Sequence, residues 1–163
     1  MSGEASALVV DASVVVKWHL PDEELADVAV LVLRRFGAGT LELYAPAQIR
    51  FEVPAAITIA AGGRAPRITA EQCREAVEEF LALELTTVDR DELILAALPL
   101  VHRYGIAFSD ALYLALAQDL GIPLITADRR LYERLRGLPH LLGLGTYGRH
   151  AAAGDSDAAP ART

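Results

Sequence analysis

Short apolar runs alternate along the chain with longer segments in which apolar residues recur at helical spacing. The runs at residues 7–11 and 123–126 are apolar on both faces, which is typical of strands buried on both sides. Further short runs predict strands at residues 41–44, 85–88 and 141–144. Strands that alternate with helices form parallel sheets covered on both faces, so the pattern predicts an α/β fold.

The clearest predicted helix lies between residues 108 and 121. We expect it to begin at Ser109 or Asp110 and to end at Gly121, because glycine is a common residue just past a helix and Pro123 follows. The strand at residues 123–126 comes directly after it. One acid therefore opens this helix, and another, Asp128, lies just past the next strand.

Two other predicted helices carry distinctive residues. The acids at 22–24 predict the first turn of a helix, since carboxylates are favourable at a helix N-terminus, and Leu25 would belong to its apolar face. A third helix contains both Glu52 and Pro54. Because an internal proline removes one backbone hydrogen bond, we expect this helix to bend or restart near Pro54, with Glu52 close to the bend.

The chain of 163 residues suits one domain, which we expect to span residues 1–149, followed by a mobile tail at 150–163. No apolar run reaches the roughly 18 residues of a membrane span, and the N-terminus lacks a signal-peptide pattern. Cys73 is the single cysteine, which excludes an internal disulfide and a cysteine-rich zinc site. We therefore expect a cytoplasmic protein without membrane partners.

The net charge of −7 argues against a general binder of nucleic-acid backbones. It does not exclude a nuclease, because the active site of a metal-dependent nuclease must itself be acidic to hold the metal.

Three acids are placed by the predicted elements at one edge of the sheet. Asp11 ends the first strand, and Asp128 follows a second buried strand. Asp110 begins the helix that leads into that second strand. Each aspartate alone could be an ordinary helix cap, and Glu52 alone could be an exposed helix residue. Together, the three aspartates indicate a functional crevice beyond the carboxyl ends of the strands.

Clustered carboxylates repel one another and are costly without a cation. Oxygen-only ligands suit Mg²⁺ or Mn²⁺, and such a site serves phosphoryl chemistry. No Ser-His-Asp or Cys-His arrangement competes, and neither a phosphate-binding GxxxxGK loop nor a GxGxxG motif follows a strand.

Three blocks of this sequence resemble PIN-domain proteins of the VapC toxin type. They are residues 10–18 (VDASVVVKW), residues 108–112 (FSDAL) and residues 124–131 (LITADRRL). Their order and spacing fit that family, and the resemblance covers about residues 7–146. It implies a three-layer α/β/α sandwich with a central parallel sheet, often dimeric, and a metal-dependent ribonuclease that acts as the toxin of a toxin–antitoxin pair.

The resemblance also implies roles for particular side chains. By matching positions, the acidic quartet that binds Mg²⁺ or Mn²⁺ would be Asp11, Glu52, Asp110 and Asp128. The hydroxyls of Ser13 and Thr126 would orient a ligand carboxylate or a metal-bound water, although hydrogen bonding within a turn and a strand end explains both equally well.

Beside the quartet, Arg129 and Arg130 could hold substrate phosphate or form a solvated helix face. The partners implied are an RNA substrate, a small cognate antitoxin and a second copy of the chain.

Two rival functions stay open from the sequence. A PIN-like module could bind RNA or a protein without cutting, although four intact acids argue against it. A receiver-like phosphotransfer domain would need a lysine after a late strand, whereas the only lysine, Lys17, is near the first strand. A haloacid-dehalogenase-like phosphatase would need a second aspartate two residues after Asp11, where this chain has Ser13.

Overall fold

A central sheet of five parallel strands, in the order β3-β2-β1-β4-β5, organises the chain. The computed structural model describes residues 5–156. The elements in chain order are β1 (Ala7–Val10), α1 (Ala12–His19), α2 (Ala26–Gly37), β2 (Glu42–Pro46), α3 (Ile49–Ala61), α4 (Ala70–Ala82), β3 (Thr86–Val88), α5 (Asp91–Tyr104), α6 (Phe108–Leu120), β4 (Leu124–Thr126), α7 (Arg129–Leu135), β5 (Leu141–Gly143) and α8 (Leu144–Ser156). The predicted α/β fold with a central parallel sheet flanked by helices is confirmed.

Strand β1 lies in the middle of the sheet, between β2 and β4. Val9 is paired with Tyr44 on one side and with Leu124 on the other. The side chains of Leu8, Val9 and Val10 have no exposed surface, which explains why this strand is apolar on both faces. Because all five strands are parallel, their carboxyl ends share one edge of the sheet, and the residue after β1 opens there.

Helix α6 is the most deeply buried helix among the described residues. Every side chain from 111 to 117 is buried, and the helix packs on α5, β1, β2 and β4. It starts at Phe108, one residue earlier than the first predicted start. Gly121 ends it at a φ of 65°, the left-handed conformation that glycine adopts readily, as the sequence predicted. The first turn of α6 therefore lies at the same sheet edge as the end of β1.

The prediction that a helix begins at residues 21–24 is wrong. Helix α2 begins at Ala26, because Asp22 and Glu23 both bind Arg67 from the α3–α4 connection. Leu25 has a φ of 62°, which costs a residue with a Cβ roughly 1–2 kcal/mol. Its side chain is 36% exposed and does not belong to a buried helix face. Long-range ion pairing thus overrides the local helix signal.

Helix α3 runs without interruption from Ile49 to Ala61, so Pro54 does not restart it. Pro54 is the sixth helical residue, and its missing N–H removes the bond that would close on Arg50. Val53 and Ile57 on either side are fully buried, so packing of this face holds the helix together across the proline. Glu52 lies on the turn just before it.

The last helix, α8, follows β5 without a break and continues to Ser156. It therefore occupies part of the segment that we expected to be a mobile tail. The rest of that segment, residues 157–163, lies outside the described residues, and the domain boundary at residue 149 stays a prediction. Within residues 5–156, no helix combines the length and the apolar character required to cross a membrane.

Candidate active site

Four acids stand at or near the carboxyl edge of the sheet. Asp11 follows β1, Asp128 follows β4, Asp110 is in the first turn of α6 and Glu52 is in the first turn of α3. The charges of Asp11, Asp128 and Glu52 all raise the pKa of Asp110, so the four carboxylates share one electrostatic environment. The sheet topology brings them together as the sequence predicted for the three aspartates.

Asp11 is the most buried of the four, with 6% of its surface exposed. Its Oδ2 accepts hydrogen bonds from Ser13 Oγ at 2.5 Å and from Thr126 Oγ1 at 2.7 Å. Burial raises the pKa of Asp11, and the two hydroxyl hydrogen bonds partly oppose that rise. Asp11 makes no capping bond to α1 through its side chain, so the ordinary cap explanation does not account for it.

Ser13 and Thr126 hold the loop after β4 as well as Asp11. Ser13 Oγ accepts a hydrogen bond from the backbone N–H of Ala127, and Thr126 Oγ1 accepts one from that of Asp128, each at 3.0 Å. The two hydroxyl oxygens lie 3.3 Å apart. Both explanations that the sequence left open are therefore present, since these hydroxyls orient Asp11 and also complete a turn.

Asp110 occupies the third position of α6, where its carboxylate accepts a hydrogen bond from the backbone of Ala107. Its side chain is half-buried among the other acids. Burial, followed by the charges of Asp11, Asp128 and Glu52, raises the pKa of Asp110 to about 6. Near neutral pH this carboxylate ionises only against the repulsion of its neighbours.

Glu52 is held in place by Tyr113, whose hydroxyl donates a hydrogen bond to Glu52 Oε2 at 2.6 Å. Burial raises the pKa of Glu52, the Tyr113 hydrogen bond lowers it, and the charge of Asp11 raises it further. A second link joins the two helices, because Gln48 Nε2 donates to the carbonyl of Ser109 at 2.9 Å. The bend expected at Pro54 is not needed to aim Glu52 at the other acids.

Tyr113 is a site residue that the sequence did not single out. It is 1% exposed and lies one helical turn after Asp110 on α6. The available signal was a hydroxyl in an otherwise Leu- and Ala-rich buried helix, since a buried tyrosine hydroxyl needs a partner. Burial and the charges of Asp11 and Glu52 raise the pKa of Tyr113, so its hydroxyl stays a donor.

Asp128 acts as a helix cap. Its Oδ1 accepts hydrogen bonds from the backbone N–H of Arg130 at 2.7 Å and of Leu131 at 3.0 Å, which begins α7. Asp128 is exposed, as are Arg129 and Arg130 beside it. Of the four acids it has the most ordinary structural explanation, and it stands at the outer rim of the cluster.

The cluster is not neutralised from within. The groups that shift the pKa values of Asp11, Glu52 and Asp110 include carboxylates, hydroxyls, an amide and backbone groups, and no lysine, arginine or histidine. Such an oxygen-only, uncompensated donor set fits a hard divalent cation. In residues 5–156, however, no three such side chains lie close enough to ligate one ion where they stand, so ligation needs them to move closer.

A sequence profile of the PIN domain matches residues 8–137, and the chain belongs to the PIN-domain family. Proteins of this family are generally nucleases. The resemblance seen in the sequence is thereby confirmed at the level of the family. No curated protein sequence matches the chain.

Two solved structures share the fold. PAE2754 from Pyrobaculum aerophilum has 19% sequence identity and a TM-score of 0.58, covering 91% of this chain and 96% of its own. VapC20 from Mycobacterium tuberculosis, described as a sarcin–ricin loop cleaving toxin, has 14% identity and a TM-score of 0.57, covering 77% of this chain and 93% of its own. At these identities the likeness establishes the fold.

Proposed function

We propose that this protein is a metal-dependent endoribonuclease that hydrolyses RNA phosphodiester bonds. The observation that carries the proposal is the group of Asp11, Glu52 and Asp110 at the sheet edge of a PIN domain, with raised pKa values and no basic side chain among the groups that shift them. An uncompensated acidic cluster of this kind is a poor solution for stability and a suitable one for Mg²⁺ or Mn²⁺.

In this proposal Asp11 and Asp110 hold the metal, Glu52 completes its ligands, and Asp128 assists from the rim. When bound, a divalent ion would polarise the phosphate and lower the pKa of a bound water. Ser13 and Thr126 fix the orientation of Asp11 through hydrogen bonds to Oδ2. Tyr113 does the same for Glu52. Arg129 and Arg130, both exposed beside Asp128, contact substrate phosphate.

RNA incubated with the pure protein and Mn²⁺ is the direct test. We expect fragmentation in Mn²⁺, none in EDTA, and a loss of at least about a hundredfold in Asp110→Asn, since even residues behind metal ligands contribute roughly 10–100-fold. Asp22→Asn is the matched control, because Asp22 is an exposed acid paired with Arg67 away from the cluster. Cleavage that survives EDTA or Asp110→Asn contradicts the proposal, and RNA binding without cleavage supports the non-cleaving rival.

The likeness to VapC20 supports a toxin–antitoxin role in the cytoplasm, with the chain as a homodimer and a small antitoxin as its partner. We propose that the antitoxin covers exposed apolar surface and places an arginine among the acids, because guanidinium pairs with carboxylates in two-point contacts. Large exposed apolar side chains do exist, among them Phe51 and Ile59 on α3 at 78% and 79%. The neighbouring-gene product should suppress both RNA cleavage and Mn²⁺ binding; binding that changes neither contradicts occlusion of the site.

A further inference from the structure

An open cleft of about 420 Å³ adjoins the acidic cluster on the side of β4 and β5. Its inner end is formed by Thr126 and Asp128, which belong to the candidate active site. Its walls come from α1, the turn before α2, α7 and the start of α8. The volume falls within the roughly 300–1,000 Å³ typical of small-molecule sites. The cleft therefore extends the candidate active site toward a surface that the acids themselves do not line.

One wall of the cleft presents an aliphatic side chain on an unusual backbone. Leu25 lines the cleft, has a φ of 62° and keeps 36% of its surface exposed. A Cβ added to Gly145 would lie 3.6 Å from Leu25 Cδ1, so the leucine rests on the bare backbone at the start of α8. A strained residue that presents an apolar side chain to solvent, and does not bury it, directs attention to binding.

The facing wall is aromatic. Tyr132 on α7 lines the cleft, and its ring lies flat enough on β5 that a Cβ at Gly143 would come within 3.0 Å of Cε2. Gly143 thus leaves room for the ring. Leu25 and Tyr132 together give the cleft the two apolar surfaces that a planar base needs for contact, since every nucleobase has a π face.

Cationic side chains surround these apolar walls. Lys17, Arg129 and Arg149 all line the cleft, against the acids Glu24 and Asp128. Lys17 is paired with Glu23 at 3.2 Å, whereas Arg129 and Arg149 lie exposed at the rim. Arg149 Nη2 donates to Thr146 Oγ1 at 3.0 Å, which holds the guanidinium at the mouth. Exposed guanidinium groups are suited to two-point contacts with phosphate.

We propose that this cleft binds one nucleotide of a single-stranded RNA, next to the phosphate that is cleaved. The base lies between Leu25 and Tyr132, and the backbone phosphate is held by Arg129 and Arg149. The inference rests on the proposed function, since it supplies that activity with a substrate subsite. Thr126 and Asp128 are shared between cleft and acidic cluster, which sets the nucleotide adjacent to the reacting phosphate.

Leu25→Gly is the sharpest test, because it moves stability and binding in separable ways. Glycine adopts a positive φ without strain, so the variant should fold at least as well as the wild type. It also removes the aliphatic wall. We expect the KM for a short single-stranded oligoribonucleotide to rise several-fold while kcat changes little, because the lost contact serves binding of the ground and transition states alike.

Arg149→Gln should likewise raise the KM several-fold, and it should weaken the salt dependence of binding. Arg74→Gln is its control, since Arg74 lies on α4 outside the cleft and pairs only with Glu78. Binding is measured by fluorescence anisotropy in EDTA on the Asp110→Asn background, so that no cleavage intervenes. If Leu25→Gly and Arg149→Gln both bind and cleave as Arg74→Gln does, the cleft is not the subsite.

A metal-free titration separates this inference from the proposed function. Adenosine and uridine monophosphates titrated in EDTA should shift the backbone amide resonances of Leu25, Thr146 and Tyr132 in NMR spectra. Shifts at the cleft in a protein that leaves RNA uncut with Mn²⁺ would keep the cleft and reject the nuclease. RNA cleavage without those shifts, and without effects of the two variants, would keep the nuclease and reject the cleft. Shifts of equal size from inorganic phosphate alone would reject the base contact.

Discussion

Two groups of carboxylates in this chain meet opposite fates. In the first, which we call the Arg67 clamp, Arg67 binds Asp22 through two nitrogens at 2.9 and 2.7 Å and binds Glu23 at 2.8 Å, while Lys17 also pairs with Glu23. The Arg67 hydrogen bond lowers the pKa of Asp22. Burial alone would raise the pKa of Glu23, but hydrogen bonds from Lys17 and Arg67 outweigh it, and the result is a lowered pKa.

In the second group, the acids at the carboxyl edge of the sheet, every resolved pKa shift is upward. Asp11, Glu52 and Asp110 are more buried than Asp22, and burial is the largest cause in each case. The chain therefore supplies cations where acids only tie loops together and withholds them at the sheet edge. A charge arrangement that opposes folding marks a place where something other than stability determines the residues.

The largest expected effect concerns metal affinity. Asp11→Asn and Asp110→Asn should each weaken Mn²⁺ binding by about tenfold or more, because each removes an oxygen ligand and one of the charges that attract the ion. Asp22→Asn, from the Arg67 clamp, should leave the affinity unchanged. Calorimetric titration of Mn²⁺ into the three variants decides the matter. Wild-type affinity in both cluster variants would show that these acids do not bind the metal.

The second effect is on stability and has opposite signs in the two groups. The folded protein holds the Asp110 proton up to about pH 6, whereas the unfolded chain releases it near 3.8, so this group lowers stability as pH rises between those values. Asp110→Asn should then raise the metal-free unfolding free energy by about 1–2 kcal/mol at pH 7.5 and by almost nothing near pH 4.

Asp22→Asn provides the contrast in the same urea-unfolding experiment in EDTA. Its lowered pKa gives stability that is present above pH 3.8 and lost as pH falls, so the substitution should reduce stability at pH 7.5. An Asp110→Asn variant that is less stable than the wild type at pH 7.5 would contradict the repulsion inferred at the sheet edge.

A smaller effect is expected from the buried hydroxyl that holds Glu52. Tyr113→Phe removes the donor at 2.6 Å, so Mn²⁺ affinity should fall roughly three- to tenfold, as expected for one hydrogen bond worth about 0.5–1.5 kcal/mol. Tyr44→Phe is the control, because Tyr44 donates a similar bond to Glu42 on the exposed side of β2. Equal behaviour of the two variants would remove Tyr113 from the site.

The smallest effect belongs to the Arg67 clamp. Arg67→Gln should lower the melting temperature slightly, and the loss should shrink in high salt, because exposed ion pairs contribute little and are screened. Arg74→Gln, which loses a single exposed pair on one helix, should lower it less. Thermal unfolding at low and high salt measures both, and a loss that ignores salt would mean that Arg67 acts through packing.

The sequence predicted the elements and the placement of three aspartates, because these follow from local signals. Residues 8–10 and 124–126 are apolar on both faces, and an acid after each such strand must lie at the carboxyl edge. The order of strands could not be predicted, since β1 pairs with β4 across more than a hundred residues. Nothing local in the chain specifies which strands become neighbours.

The errors at the start of α2 and at Tyr113 have the same origin. Asp22 and Glu23 look like a first helical turn until Arg67, more than forty residues later, takes them. Tyr113 looks like part of the core until the fold brings Glu52 to its hydroxyl. In both cases a polar side chain finds a partner that is remote in sequence, and local patterns carry no information about such pairs.

The hydrogen bond from Thr126 to Asp11 sets a requirement on synthesis of the chain. Asp11 lies on the central strand near the N-terminus, yet its partner and the neighbouring β4 come 115 residues later. Any nascent chain that has not yet reached Thr126 lacks both, whatever else of it has folded. Parallel pairing over such a separation closes a long loop and is slow compared with local helix formation. Release of the nearly complete chain from the ribosome should therefore precede any activity of the assembled site.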